Sequence, residues 1–369
     1  LPAPVGAISR ASRQVVSAGP FPPSGSRPLS KSTAAVTRNP KAGTSGLANA
    51  ASTTDFSPSP TATAGFQSPM PKVNNLVELL LPHVQEQPDH IAVGTSDLQL
   101  VLNYRHLDML VSSTAMQLTS LGLRPGDLVA LISDNNVEFV IALLALLKAG
   151  AMAAPLNPAF TPSGLQVRMA QLPVRALLVP RHLAAHLDLW GNAANAPHRW
   201  LLGIDGSGQT ATVTVTSAAA RTAATQTISN VNPIDPDVAL VMFTAGSTST
   251  PKAVPLTHLN VAASVSGIVT VYDLSPQDTT LVVMPLYHGH GLVAGLLATL
   301  ASGGAAYLPS TGSFSAHRFW PDLGRVGATW YTAVPTIHRI LVNRAAQEYP
   351  GASPPALRFI RSCSAPLDT

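Results

Sequence analysis

Between residues 128 and 179, short apolar runs alternate with segments of helical spacing, and this alternation limits the possible folds more than any other feature of the chain. Leu128-Val129-Ala130-Leu131-Ile132 follows the turn chemistry of Arg124-Pro125-Gly126-Asp127 and predicts a strand. Asn135 and Asn136 offer an N-cap for a helix over 137–148, and Gly150 closes it. Ala153-Ala154-Pro155-Leu156 predicts the next strand, residues 163–172 a second helix, and Ala176-Leu177-Leu178-Val179 a third strand. Strands and helices in strict succession predict an α/β fold, a mostly parallel sheet with helices on its faces.

The flanking segments extend the pattern. Residues 73–81 have helical spacing and stop before Pro82. Ile91-Ala92-Val93 predicts a strand and residues 104–121 an amphipathic helix. Residues 189–236 are less regular, with an edge strand expected over 211–215. The run Val238-Ala239-Leu240-Val241-Met242-Phe243 is apolar throughout, as expected of a strand buried on both faces. Residues 291–308 carry no charge, yet Gly303-Gly304 would break a helix there. A buried helix followed by a core strand is expected, not a membrane span.

Charge is unevenly placed. The chain of 369 residues has a net charge of +4. Arg10, Arg13, Arg27, Lys31, Arg38, Lys41 and Lys72 face Asp55 alone in residues 1–72, so that segment carries +6 and the rest −2. The remainder has no basic footprint for nucleic acid. Ser, Ala, Pro, Thr and Gly dominate residues 1–72, a composition that cannot bury enough apolar surface to order itself. The expectation is a disordered tail, followed by one large domain over 73–369. Scattered arginines and few acids fit a transit peptide to chloroplast or mitochondrion. A low-complexity tail of a cytoplasmic or peroxisomal protein is the alternative. Cys363 is the only cysteine, which excludes an intramolecular disulfide.

The apolar run 238–243 leads directly into Thr244-Ala245-Gly246-Ser247-Thr248-Ser249-Thr250-Pro251-Lys252. Five hydroxyls, a glycine and a lysine, followed by a helix expected from about residue 257, suit polyphosphate. A solvated Ser/Thr loop is the plain alternative. The spacing of Gly246 and Lys252 matches a Walker loop, but Pro251 stands where that pattern needs a second glycine. Proline has no N–H to offer a phosphate, so the Walker nest is excluded.

The loop resembles the signature of the adenylate-forming superfamily, Thr-Ser-Gly-Thr-Thr-Gly-x-Pro-Lys-Gly, at Thr244, Gly246, Thr248, Pro251 and Lys252. Ala245, Ser249 and Ala253 depart from it. Residues 284–291, Met-Pro-Leu-Tyr-His-Gly-His-Gly, resemble the next motif of those enzymes, and residues 361–367, Arg-Ser-Cys-Ser-Ala-Pro-Leu, a third. Ser249 and the wording around 328–338 and 359–364 are most similar to the oxalate–CoA ligase branch. The resemblance covers about residues 73–369 and implies the large N-terminal domain of an acyl-CoA synthetase.

Such an enzyme would join a small carboxylic acid, with oxalate suspected, to coenzyme A at the expense of Mg²⁺-ATP. The resemblance implies phosphate contacts at Thr244, Gly246, Ser247, Thr248, Ser249 and Lys252, with Lys252 as the catalytic cation. It implies an acyl and adenine pocket at His288, Ser362, Cys363, Ser364 and Ala365. His288-Gly289-His290 has the spacing of a zinc pair, but no third ligand is apparent nearby and no metal ligand is assigned. A 4-coumarate or fatty-acid ligase and a non-catalytic nucleotide-binding relic are the alternatives. The family's Tyr-Gly-x-Thr-Glu segment and C-terminal lid are not found before Thr369, so an incomplete domain, inactive as a fragment, is expected.

Overall fold

The computed structural model describes residues 15–18, 73–190, 197–218, 235, 237–244, 251–349 and 355–366. Its strands are β1 Val15–Ala18, β2 Ile91–Thr95, β3 Val101–Asn103, β4 Leu128–Ile132, β5 Met152–Leu156, β6 Val174–Pro180 and β7 His198–Asp205. There follow β8 Thr212–Ser217, β9 Val238–Phe243, β10 Ala253–Thr257, β11 Thr279–Leu281, β12 Ala305–Leu308, β13 Trp330–Ala333 and β14 Phe359–Cys363. The helices are α1 Leu81–Glu86, α2 Tyr104–Ser120, α3 Val137–Lys148, α4 Pro162–Met169, α5 His258–Tyr272, α6 Ala298–Ala301, α7 Ala316–Arg325 and α8 Pro335–Glu348.

The strands form two sheets, ordered β1-β14-β13-β11-β12-β2-β3 and β10-β9-β5-β4-β6-β7-β8. Their inner pairings are parallel, while β3, β8 and β10 join the edges antiparallel. The α/β expectation holds. All five residues of β4 and of β5 are buried, as continuous apolar runs require in a sheet covered on both faces. Helix α3 is buried at every position from Val137 to Leu147 except Glu138, so it is a core helix, not a surface one. Each of its leucines contributes about 2 kcal/mol by leaving water. Asn136 Oδ1 accepts the Phe139 N–H at 2.8 Å and starts the helix; Gly150, at φ +74°, ends it.

Several elements differ from expectation. The first helical segment does not end before Pro82. A 3₁₀ turn over Leu76–Leu80 runs into α1, whose first turn holds Pro82, where no N–H is needed. Residues 198–205 form β7, within the stretch that looked irregular, and β8 lies beside it as the expected edge strand. Residues 291–308 do not form a membrane span. A π-helical stretch, His290–Leu297, continues into α6 and is followed by the core strand β12. Among the described residues no helix is long and apolar enough to cross a membrane. Within the expected tail, Val15–Ala18 forms β1, parallel to β14. The other residues of 1–72 lie outside the described ones.

Candidate functional site

The hydroxyl-rich loop leaves β9 and returns on β10, an antiparallel partner of β9 with Ala253 opposite Phe243. The Thr244 N–H donates to the Lys252 carbonyl at 3.0 Å and closes the neck. Thr244 and Lys252 are exposed at its mouth. Gly246, Ser247, Thr248 and Ser249 lie outside the described residues. The helix expected from about residue 257 is α5, which begins at His258. Strand β10 intervenes, and the first amides of α5 are met by its own capping box of Thr257 and Asn260. The lysine therefore sits on a hairpin, not at a helix N-terminus.

The second motif emerges from the C-terminal end of β11. It is tied to the other sheet by Asn135, which is buried just beyond the end of β4. Asn135 Nδ2 donates to the Met284 carbonyl at 2.9 Å, and its Oδ1 accepts the Leu286 N–H at 2.8 Å. Asn136 is the helix cap, so its neighbour is free for this bridge. The chain then turns tightly. A Cβ on Gly291 would stand 2.3 Å from the Pro285 carbonyl oxygen, so only glycine fits.

The two histidines of this motif part ways. His288 is exposed, with the Tyr287 ring edge-on to it, whereas His290 is buried. His290 Nε2 lies 2.6 Å from Thr332 Oγ1, and Nδ1 lies 3.5 Å from Ser364 Oγ. A shared metal would need both rings to converge. Among the described residues, no group of three or more His, Cys, Asp or Glu could hold one. Burial, then the positive charge of Arg361 and the neighbouring His338 and His288, push the His290 imidazole down to about 3. It is neutral at physiological pH.

Thr332 on β13 pairs directly with Arg361 on β14, and the two side chains meet. Arg361 Nη1 donates to Thr332 Oγ1 at 3.0 Å, Nε to Tyr272 Oη at 2.8 Å, and Nη2 to Cys363 Sγ at 3.5 Å. Arg361 is only 3% exposed, and among the described residues no carboxylate lies within ion-pair distance of it. His338 braces the same strand ends: its Nε2 is 3.1 Å from the Ala333 carbonyl and 3.2 Å from that of Arg361.

The expected pocket residues are thus divided. Along β14, Phe359 packs with Tyr272 and Trp330, whereas Ile360 packs with the cluster of Phe319, Trp320 and Leu341. Alternation puts Arg361 and Cys363 on the first face and Ser362 on the second. Ser362 Oγ is buried with no hydrogen-bond partner among the described residues. Ser364 and Ala365 are exposed beyond the strand, with Ser364 held at φ +76°. Arg361, Thr332, Tyr272 and Asn135 were not in the expected set. The one signal for Arg361 was a charge inside the strand-like run Phe-Ile-Arg-Ser-Cys.

Loops at the carboxyl ends of parallel strands are where ligands bind in open α/β sheets. Solved structures share this architecture. The N-terminal domain of FACL13 from Mycobacterium tuberculosis, solved with an inhibitor, is 22% identical with a TM-score of 0.64, over 80% of this chain and 71% of that one. ATP-bound MatB from Rhodopseudomonas palustris is 25% identical with a TM-score of 0.63, over 80% of this chain and 55% of that one. The chain belongs to the AMP-binding enzyme family, whose model matches residues 81–369.

Among its relatives, an oxalate–CoA ligase of Arabidopsis thaliana is 40% identical over 289 residues, 78% of this chain and 55% of that protein. The probable CoA ligase CCL9 of Humulus lupulus is 38% identical over 299 residues, 79% of this chain and 55% of that protein. The chain spans about half the length of these relatives.

Proposed function

We propose that this chain is the greater part of the large domain of an ATP-dependent carboxylic acid–CoA ligase, with oxalate as the acid. The carrying observation is the placement of all three motif segments at the carboxyl ends of β9, β11 and β14. The 40% identity to an oxalate–CoA ligase supports the choice of acid. So does the buried charge of Arg361, which suits a small dianion better than a long apolar acid.

In this reading a carboxylate oxygen attacks the α-phosphorus of ATP, and the bond to the bridging oxygen of pyrophosphate breaks. The CoA sulfur then attacks the acyl carbon, AMP leaves with the electron pair, and the thiol proton passes to solvent. Lys252 neutralises the pyrophosphate as charge builds on it, and the hydroxyls and amides of Thr244, Gly246, Ser247, Thr248 and Ser249 hold its oxygens. His288 lies at the mouth of the acid site, and Ser364 and Ala365 along its edge. Magnesium would arrive with the nucleotide. The described residues offer no cluster to hold it alone.

Product analysis tests the reading. Given ATP, oxalate and CoA, the chain joined to the remaining C-terminal part of its Arabidopsis thaliana relative is expected to yield AMP and pyrophosphate. Release of ADP, or of AMP without any dependence on an acid, would contradict it.

A further inference from the structure

Arg361 differs from the arginines that meet buried acids in this protein. Buried Asp278 is met by Arg358, and buried Asp322 by Arg325 and Arg318. In both places the charge is matched. Arg361 is far less exposed than Arg358 or Arg325, yet its described partners are a phenol, a hydroxyl and a thiol. A buried charge without a counter-ion is costly unless something anionic completes it.

Its hydrogen bonds also dictate the state of His290. Thr332 Oγ1 accepts from Arg361 Nη1, and the one other partner it has among the described residues is His290 Nε2 at 2.6 Å. If Nε2 carried the proton, the Thr332 hydroxyl would receive two donors and leave its own O–H unmet in a buried site. The arrangement that wastes nothing runs from Arg361 to Thr332 to Nε2, with the His290 proton on Nδ1. The guanidinium favours the same tautomer, since it draws the imidazole lone pair towards itself. Nδ1–H then points towards Ser364, where β14 ends and the chain becomes exposed.

We propose that Arg361, Thr332 and His290 form a donor chain that presents the His290 Nδ1–H to a small acid carrying a second negative charge. Arg361 is the positioning residue and supplies the field that favours the second charge. This rests on the acid-site reading above and names the class of acid, a short dicarboxylate, with the element that selects it. Ser364 completes the recognition edge with a hydroxyl held in place by left-handed backbone.

The test uses the full chain labelled with ¹⁵N. Long-range proton–nitrogen correlation reads the His290 tautomer, with the signal assigned by its loss in His290→Asn. The expected state is neutral with the proton on Nδ1, and Thr332→Val is expected to shift it towards Nε2. Titration with oxalate and with acetate, followed at the same signal, is expected to give at least tenfold tighter binding of oxalate. Arg361→Gln is expected to bring that ratio near one, and Arg361→Lys to keep part of it.

An Nε2 proton in the unaltered chain, no response of His290 to oxalate, or an unchanged ratio in a folded Arg361→Lys and Arg361→Gln pair would overturn the proposal. If Arg361→Gln does not fold, the tautomer in the unaltered chain and in Thr332→Val decides. None of these readouts needs ATP. Failure of the ATP reaction with the tautomer and ratio as expected would sink the ligase reading and leave the anion site standing.

Discussion

Asn135 and Leu286 stand 151 residues apart in the chain, yet the Leu286 N–H donates to Asn135 Oδ1 at 2.8 Å in a buried position. With the second bond from Asn135 Nδ2 to Met284, this one side chain fastens the motif loop of one sheet to the strand end of the other. Neither sheet alone could fix the loop. Asn135→Ala would leave a buried carbonyl and a buried amide unmet, at a cost of about 2–4 kcal/mol. Urea denaturation is expected to show that loss, and an unchanged midpoint would mean that the bridge does not hold the loop.

Gly291 is the tightest point of that loop. Gly291→Ala would bring a methyl against the Pro285 and Met284 carbonyls, which are backbone and cannot rotate aside. Destabilisation of about 1–3 kcal/mol is expected from such overpacking. Gly324, which has open space around its missing Cβ, is the control, and Gly324→Ala should lack that penalty.

The neutral His290 gives stability a defined pH dependence. Its folded value lies near 3, below the ordinary 6.5, so between these limits the unfolded chain binds a proton that the folded chain refuses. Stability is therefore full above pH 6.5 and falls as pH drops towards 3, by about 1.4 kcal/mol per unit for this one group. Burial also lowers His338 and His258, which act in the same direction. Comparison of urea midpoints at pH 7.5 and 5 is expected to show a smaller drop in His290→Asn than in the unaltered chain, by about 2 kcal/mol. Equal drops would place His290 outside the buried network.

Much of the fold was legible because its signals are local. The runs of β4, β5 and β6 and the caps of α3 are written in adjacent residues, and the edge strand over 211–215 appears as β8. Strand β10 was not legible. Its sequence Ala-Val-Pro-Leu-Thr contains Pro255, which ordinarily breaks a strand, but β10 is an edge of its sheet and needs no N–H on the outer side. That one strand puts a hairpin between the loop and the expected helix. The site was legible as motifs but not as a constellation. Alternation along β14 separates Ser362 from Cys363, and Arg361 acquires its role only when α5 brings Tyr272 and β13 brings Thr332 to it.

Pyrophosphate exchange by the chain joined to the C-terminal part of its Arabidopsis thaliana relative tests the acyl-adenylate site most directly. Labelled pyrophosphate is expected to enter ATP only when oxalate is present. Lys252→Ala is expected to lower that exchange by about 100-fold or more. Lys252 is exposed at the hairpin mouth, so the same change should move the thermal midpoint little. A cooperatively folded joined protein that exchanges no label with oxalate, or exchanges it as fast after Lys252→Ala, would contradict the account.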